Sequence, residues 1–160
     1  MMETPRPKVG HLIGLIFLCL AVAGIAGAIT VPEVAGWYQI LVHPFIAPPD
    51  YVFGPVWTVL YILMALAAWR AWGRDAYLWQ STAIQLFLFQ LALNFAWSFI
   101  FFRYHQMGAA FVEILLLELA ILVTLRAFLK RDLMAGILMI PYAAWVGFAS
   151  WLNFEFWRLN

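Results

Sequence analysis

The sequence predicts an all-α integral membrane protein, a bundle of five transmembrane helices, and three observations carry that prediction. First, 11% of its 160 residues are charged and 66% are hydrophobic, with a mean hydropathy of +0.91. Soluble domains carry about 25% charged residues, so this chain lacks the polar side chains to cover a water-facing surface. Second, the charges are clumped. None falls between Lys8 and Glu33, Asp50 and Arg70, Asp75 and Arg103, or Asp132 and Glu155, gaps of 24, 19, 27 and 22 residues. Roughly 20 residues of helix cross a ~30 Å hydrocarbon layer. Third, a helix satisfies its own backbone polar groups in lipid, where water cannot.

The spans fall at approximately 9–31, 54–72, 78–102, 107–129 and 133–156, all within one domain covering residues 1–160. The first follows "MMETPRPK" and reads as a retained helix. Its "AGA" at 26–28 resembles a cleavage site, but the apolar run exceeds the ~7–15 residues of a signal peptide core. Within it Cys19, Ala23 and Gly27 recur every four residues, as do Gly24 and Ala28, a pattern that lets another helix approach closely. Residues 32–53 form the one long link. The second span opens at Gly54-Pro55, and the third is rich in aromatics and amides. The fourth carries Glu113 and Glu118 in the otherwise continuous run "MGAAFVEILLLELAILVTLRAFL". Residues five apart lie about 140° round a helix axis, so these two acids cannot line one narrow track. Glu118 is expected to pair across the bundle with a basic residue or to meet a dimer partner. Links at 73–77, 103–106 and 130–132 leave room only for tight hairpins.

Basic residues set the expected orientation. Arg6, Lys8, Arg70, Arg74, Arg126, Lys130 and Arg131 fall on the N-terminal side, and Arg103 and Arg158 on the other. This predicts a cytoplasmic N-terminus, with the C-terminus and the 32–53 loop outside. A reporter fused after Asn160 and active only in the cytoplasm would refute it. A chain this short without an obvious transit peptide points to a bacterial cell membrane.

Conventional catalytic chemistry finds little support. His11, His43 and His105 lie near three different helix ends, Cys19 is the lone cysteine, and no nucleotide loop, zinc signature or serine-nucleophile elbow is present. No metal or cofactor is expected, and the net charge of +1 gives no sign of nucleic-acid binding. What remains is polar and aromatic residues placed inside the spans. Gln90, Asn94, Trp97, Ser98 and Phe101 share one helix face; Tyr142, Trp145, Ala149 and Asn153 share another; Trp57, Tyr61 and Ala65 a third. This pattern fits a lined ligand cavity and plain interhelical hydrogen bonding equally well.

Three segments, "PPDYVFGPVWTVLY" (48–61), "NFAWSFIFF" (94–102) and "PYAAWVGFASWLNFEFWRLN" (141–160), resemble the signature segments of the TspO/MBR family of translocator and tryptophan-rich sensory proteins. The resemblance covers essentially the whole chain. It implies a five-helix bundle, commonly a homodimer, with a pocket in each subunit beneath the first loop. Family members bind porphyrins such as protoporphyrin IX, sterols in animals, and synthetic isoquinoline carboxamide or benzodiazepine-type ligands. By residue-by-residue match the implied ligand-binding set includes Trp57, Tyr61, Phe53, Asn94, Trp97, Trp145 and Ala149. Glu113 sits where other members carry an acid. Phe45, Ile46 and Tyr51 stand where the family often has tryptophans, and Phe154 replaces the tyrosine of the animal sterol motif, so sterol is the weakest ligand expectation.

The loop completes the expected site. Pro44, Pro48 and Pro49 stiffen it, so closing it over a pocket loses less entropy, and Phe45, Pro48, Tyr51 and Phe53 offer apolar faces to a flat ligand. The expectation is a porphyrin-binding regulator or sensor of tetrapyrrole or stress metabolism. A light-dependent porphyrin-degrading enzyme acting through Trp57 and Trp145, and a carrier of tetrapyrroles or lipids, are the alternatives.

Overall fold

The computed structural model describes residues 9–73 and 81–160. Those residues form α1 (Val9–Ala35), α2 (Phe53–Trp72), α3 (Thr82–Ser98), α4 (Met107–Leu129) and α5 (Leu133–Leu159), each extended or flanked by short irregular turns. Each of the five is long and apolar enough to cross a membrane. The expected start of the third span at 78–80, the link residues 74–77, and the basic residues Arg6, Lys8 and Arg74 lie outside the described residues.

α5 runs on to Leu159 rather than 156 and α2 starts one residue early, at Phe53; α1 and the end of α3 differ more instructively. α1 continues through Pro32 to Ala35 rather than ending at residue 31. A proline removes one backbone donor, a loss that membrane helices tolerate where neighbours compensate. The helix end closes where Gly36 N–H bonds the Glu33 carbonyl at 3.3 Å, and the Glu33 carboxylate meets His105 Nε2 at 3.0 Å. The end of α3 departs from α-geometry into a π turn over Phe99–Arg103, with Tyr104 N–H bonding the Phe99 carbonyl at 2.9 Å. Widening the helix by one residue lets the consecutive residues Phe101 and Phe102 both be buried.

The core runs between α1, α2, α3, α4 and α5, with Leu60, Met64, Phe87, Ile121, Met139 and Tyr142 at its centre. α4 and α5 form a close antiparallel pair. Gly136 permits it: a Cβ there would fall 2.2 Å from the Leu129 side chain. Asp132 caps α5 by accepting from Ala135 N–H at 2.8 Å and takes two hydrogen bonds from the Arg70 guanidinium at 2.9 Å, so one carboxylate starts α5 and ties it to α2.

This hydrogen-bonded Arg70 holds the Asp132 carboxyl below the usual carboxylate range. A carboxyl depressed in the folded state contributes stability above its ordinary pKa near ~4 and loses it as pH falls through that region. Asp132→Ala is therefore expected to lower the melting temperature at neutral pH by an amount equivalent to about 1 kcal/mol, the usual loss of an N-cap. The gap between variant and parent should shrink as pH drops below 4, which thermal unfolding in detergent across pH would show.

The two acidic residues of α4 are separated as expected, but among the described residues Glu118 finds no basic partner across the bundle. Glu113 is buried with neither carboxyl oxygen hydrogen-bonded. Among the described residues no ion pair involves Glu118; one of its oxygens lies beside the open backbone of Gly147 on α5, and the other is buried without a partner.

Candidate ligand-binding site

A cavity of about 780 Å³ occupies the space between α1, α2, α3 and α5, a size within the ~300–1,000 Å³ of small-molecule sites. α4 contributes no residue to its wall among the described residues. The α1 side is lined by small residues, Ala23, Ala26 and Gly27, followed by Thr30 and Val34. Sequence spacing assigned Ala23 and Gly27 to helix–helix contact. Cys19 is fully buried in the core, and Ala23 packs against that core; Ala23 and Gly27 also line the cavity, where a Cβ built on Gly27 meets nothing within 4 Å, so this part of the stripe also provides volume.

The opposite walls are aromatic. Phe53 and Trp57 come from α2, Trp97 from α3, Phe101 and Phe102 from the π turn, and Trp145 and Phe156 from α5. Phe53 meets Trp145 edge-on with ring centres 6.1 Å apart, and Trp97 stacks on Phe101 at 5.3 Å. Offset and edge arrangements of this kind are favourable for aromatic quadrupoles and hold flat walls in place.

Beneath them runs a buried hydrogen-bonded chain. Tyr61 O–H donates to Asn94 Oδ1 at 2.5 Å, Asn94 Nδ2 donates to the Tyr142 hydroxyl at 2.9 Å, and Tyr142 O–H donates to Gln90 Oε1 at 2.8 Å. Nearer the roof, Trp97 Nε1 donates to Asn153 Oδ1 at 3.0 Å, and Asn153 donates in turn to the Met107 carbonyl at 2.9 Å. Asn94 and Trp97 are thus largely spent on positioning neighbours. Tyr38 Oη and Trp145 Nε1, on lining residues, are themselves buried and have no hydrogen-bond partner among the described residues.

The roof is two 3₁₀ turns, Trp37–Ile40 and Asp50–Val52, joined by a loop in which Ala47 N–H bonds Pro44 O at 3.0 Å. It is fastened at several points. Gln39 Nε2 donates to Asp50 at 2.7 Å and to the Val34 carbonyl at 2.9 Å. Asn160 bonds both backbone groups of Val42, at 2.8 and 3.2 Å, and Trp37 stacks on His105 with ring centres 4.0 Å apart.

Of the sequence-predicted site residues, Phe53, Trp57, Tyr61, Asn94, Trp97, Trp145 and Ala149 line the cavity. Phe45 and Pro48 do not. The turn that begins at Pro44 sends Phe45 outward, fully exposed, while Ile46 and Ala47 pack inward on the cluster around Tyr38; Pro48 is half-buried off the wall. Sequence reasoning missed Tyr38, Gln39 and Asp50. The adjacent aromatics Trp37-Tyr38, at the same end of α1 as its small residues, were the available signal.

Fold and site together define an integral membrane helical bundle that encloses a roofed, aromatic-walled cavity. The TspO/MBR family model matches residues 15–158, and the chain belongs to that family. It is similar to the tryptophan-rich protein TspO of Chlorobaculum tepidum, 42% identical over 150 residues that cover 91% of this chain and 92% of the relative. It also resembles the tryptophan-rich sensory protein of Cereibacter sphaeroides, 37% identical over 84% of this chain and 82% of the relative. The human translocator protein is 39% identical over 78% and 75%.

Proposed function

We propose that the cavity binds a planar hydrophobic tetrapyrrole, such as protoporphyrin IX, and that the protein acts as a regulator or sensor of tetrapyrrole or stress metabolism. The observation that carries this reading is the cavity itself: about 780 Å³ within the helix bundle, walled by Phe53, Trp57, Trp97 and Trp145 beneath a fastened roof. Flat indole and phenyl faces suit a flat ring system, and few polar groups interrupt them. The sensory designation of the Cereibacter sphaeroides relative supports the regulatory part. In this reading each subunit of a homodimer holds one ligand, with the roof on the outer side of the membrane.

Titration of purified protein with protoporphyrin IX, read by tryptophan fluorescence, tests it. Trp57→Ala and Trp145→Ala are expected to weaken binding about tenfold or more, the scale of one large aromatic contact removed. Unchanged affinity in both variants would leave the cavity without this role.

A second reading is light-dependent breakdown of the porphyrin, favoured by the presence of both Trp57 and Trp145 on one wall system. Indoles can exchange electrons with an excited porphyrin. Product absorbance that grows under illumination and disappears in the two variants would select it over binding alone.

A further inference from the structure

We infer that the cavity is filled from the side: its ligand passes out of the roof-side leaflet of the bilayer through a mouth between α1 and α2, and the roof stays shut above it. The inference rests on the tetrapyrrole reading only for the identity of the guest.

Exposure around the wall locates the mouth. Among the described residues, none that lines the cavity from α3, the π turn or α5 is exposed; Asn94, Ser98, Phe101, Ala149 and Leu152 are all buried. By contrast, the lining residues Val31 of α1, Tyr51 of the second 3₁₀ turn, and Gly54 and Thr58 of α2 are exposed. Both groups face the same hollow, so the extra exposure of the second comes from outside the bundle. A Cβ built on Gly54 meets nothing within 4 Å, so no neighbour fills the gap beside it. At their other ends α1 and α2 are closed against each other. His11 stacks on Trp72 with ring centres 4.1 Å apart, and Cys19 and Ala68 are buried in one core. The seam opens toward the roof.

Depth and fastening give the direction. Thr58 lies about 8 Å along α2 from Phe53, at ~1.5 Å per residue, inside the charge-free run between Asp50 and Arg70. Val31 likewise falls in the charge-free run that ends at Glu33. The mouth therefore faces hydrocarbon rather than water, and the exposed Val59 and Ile62 continue that apolar surface along α2. The roof forms its upper edge. There Gln39 donates to Asp50 at 2.7 Å, joining the two 3₁₀ turns, Asn160 holds Val42, and Ile46 and Ala47 pack on the buried cluster around Tyr38. Lifting the roof would break these contacts together, whereas passage through the seam leaves them in place. A flat apolar guest on this path never has to expose its surface to water.

The test follows labelling of a wall thiol in phosphatidylcholine liposomes and needs no porphyrin. Ala149→Cys places the thiol on the buried wall of the full chain, and the parent, whose Cys19 is fully buried, gives the background. Pyrenyl maleimide dissolved in the bilayer is compared with a sulfonated maleimide confined to water. The lipid-borne reagent is expected to label the wall faster. Adding Val31→Phe with Thr58→Phe, two exposed positions given bulk, is expected to slow it about tenfold, a modest rise in the barrier to passage. Asn160→Ala, which frees the roof from α5, should neither speed the parent's labelling nor restore the rate in the plugged chain. Labelling that is indifferent to the plugs, that accelerates severalfold in Asn160→Ala, or that proceeds faster from water overturns the inference. Protoporphyrin IX uptake, read by tryptophan quenching in the same liposomes, should slow with the plugs in parallel. If labelling behaves as expected and protoporphyrin IX never quenches, the mouth stands and the tetrapyrrole reading falls.

Discussion

Replacing Gly27 by leucine is expected to weaken protoporphyrin binding at least tenfold while leaving the fold intact. Gly27 lines the cavity, and a Cβ on it meets nothing within 4 Å. The added isobutyl group therefore grows into the space the ligand needs rather than into packed neighbours. Glycine is about 1 kcal/mol poorer than leucine in a helix interior, so α1 gains if it changes at all. Fluorescence titration paired with a thermal melt in detergent distinguishes the outcomes. Lost binding with an equal or higher melting temperature supports the cavity as the site. Binding that survives would place the ligand elsewhere.

The second large effect concerns Asn94. It accepts from Tyr61 and donates to Tyr142, and Tyr142 donates on to Gln90, with all four side chains buried. Asn94→Ala leaves two hydroxyl groups each short of a partner at bilayer depth. Such orphaned groups cost about 1–3 kcal/mol, and membrane hydrogen bonds measured by double-mutant cycles fall at the lower end. A destabilisation of about 2 kcal/mol is expected, along with weaker ligand binding as the floor loosens. Adding Tyr61→Phe to Asn94→Ala should restore part of the stability, because it removes one orphaned group. A double variant no more stable than Asn94→Ala would show that the Tyr61–Asn94 bond contributes little.

Much of this fold was legible because charge in a membrane sequence marks the ends of helices. α4 is observed at Met107–Leu129, where Arg103 on one side and Lys130-Arg131 on the other bracket the apolar run. The same logic failed at α1, where Pro32 and Glu33 looked like a terminus. The helix runs on through both to Ala35, and the Glu33 carboxylate is met by His105, 72 residues away. Hydropathy carried no trace of the π turn, since Phe99–Phe102 is equally apolar in either helical form. At the site, helical periodicity placed Trp57, Asn94, Trp97 and Trp145 because a fixed screw relates their positions. It offered nothing for the roof, where the turn at Pro44 decides that Phe45 faces out and Ile46 faces in. Small residues on α1 were visible, but spacing alone cannot distinguish a helix pressed close from a hollow left open.

The exclusion of α4 from the hollow has an evolutionary consequence. Its inward stripe of Ile114, Leu117, Ile121 and Phe128 serves as a keel, supporting the bundle without touching whatever the other four staves recognise. Changes confined to this stripe can therefore alter sturdiness while leaving the wall residues as they are, so that part of the bundle is free to drift without renegotiating what is recognised.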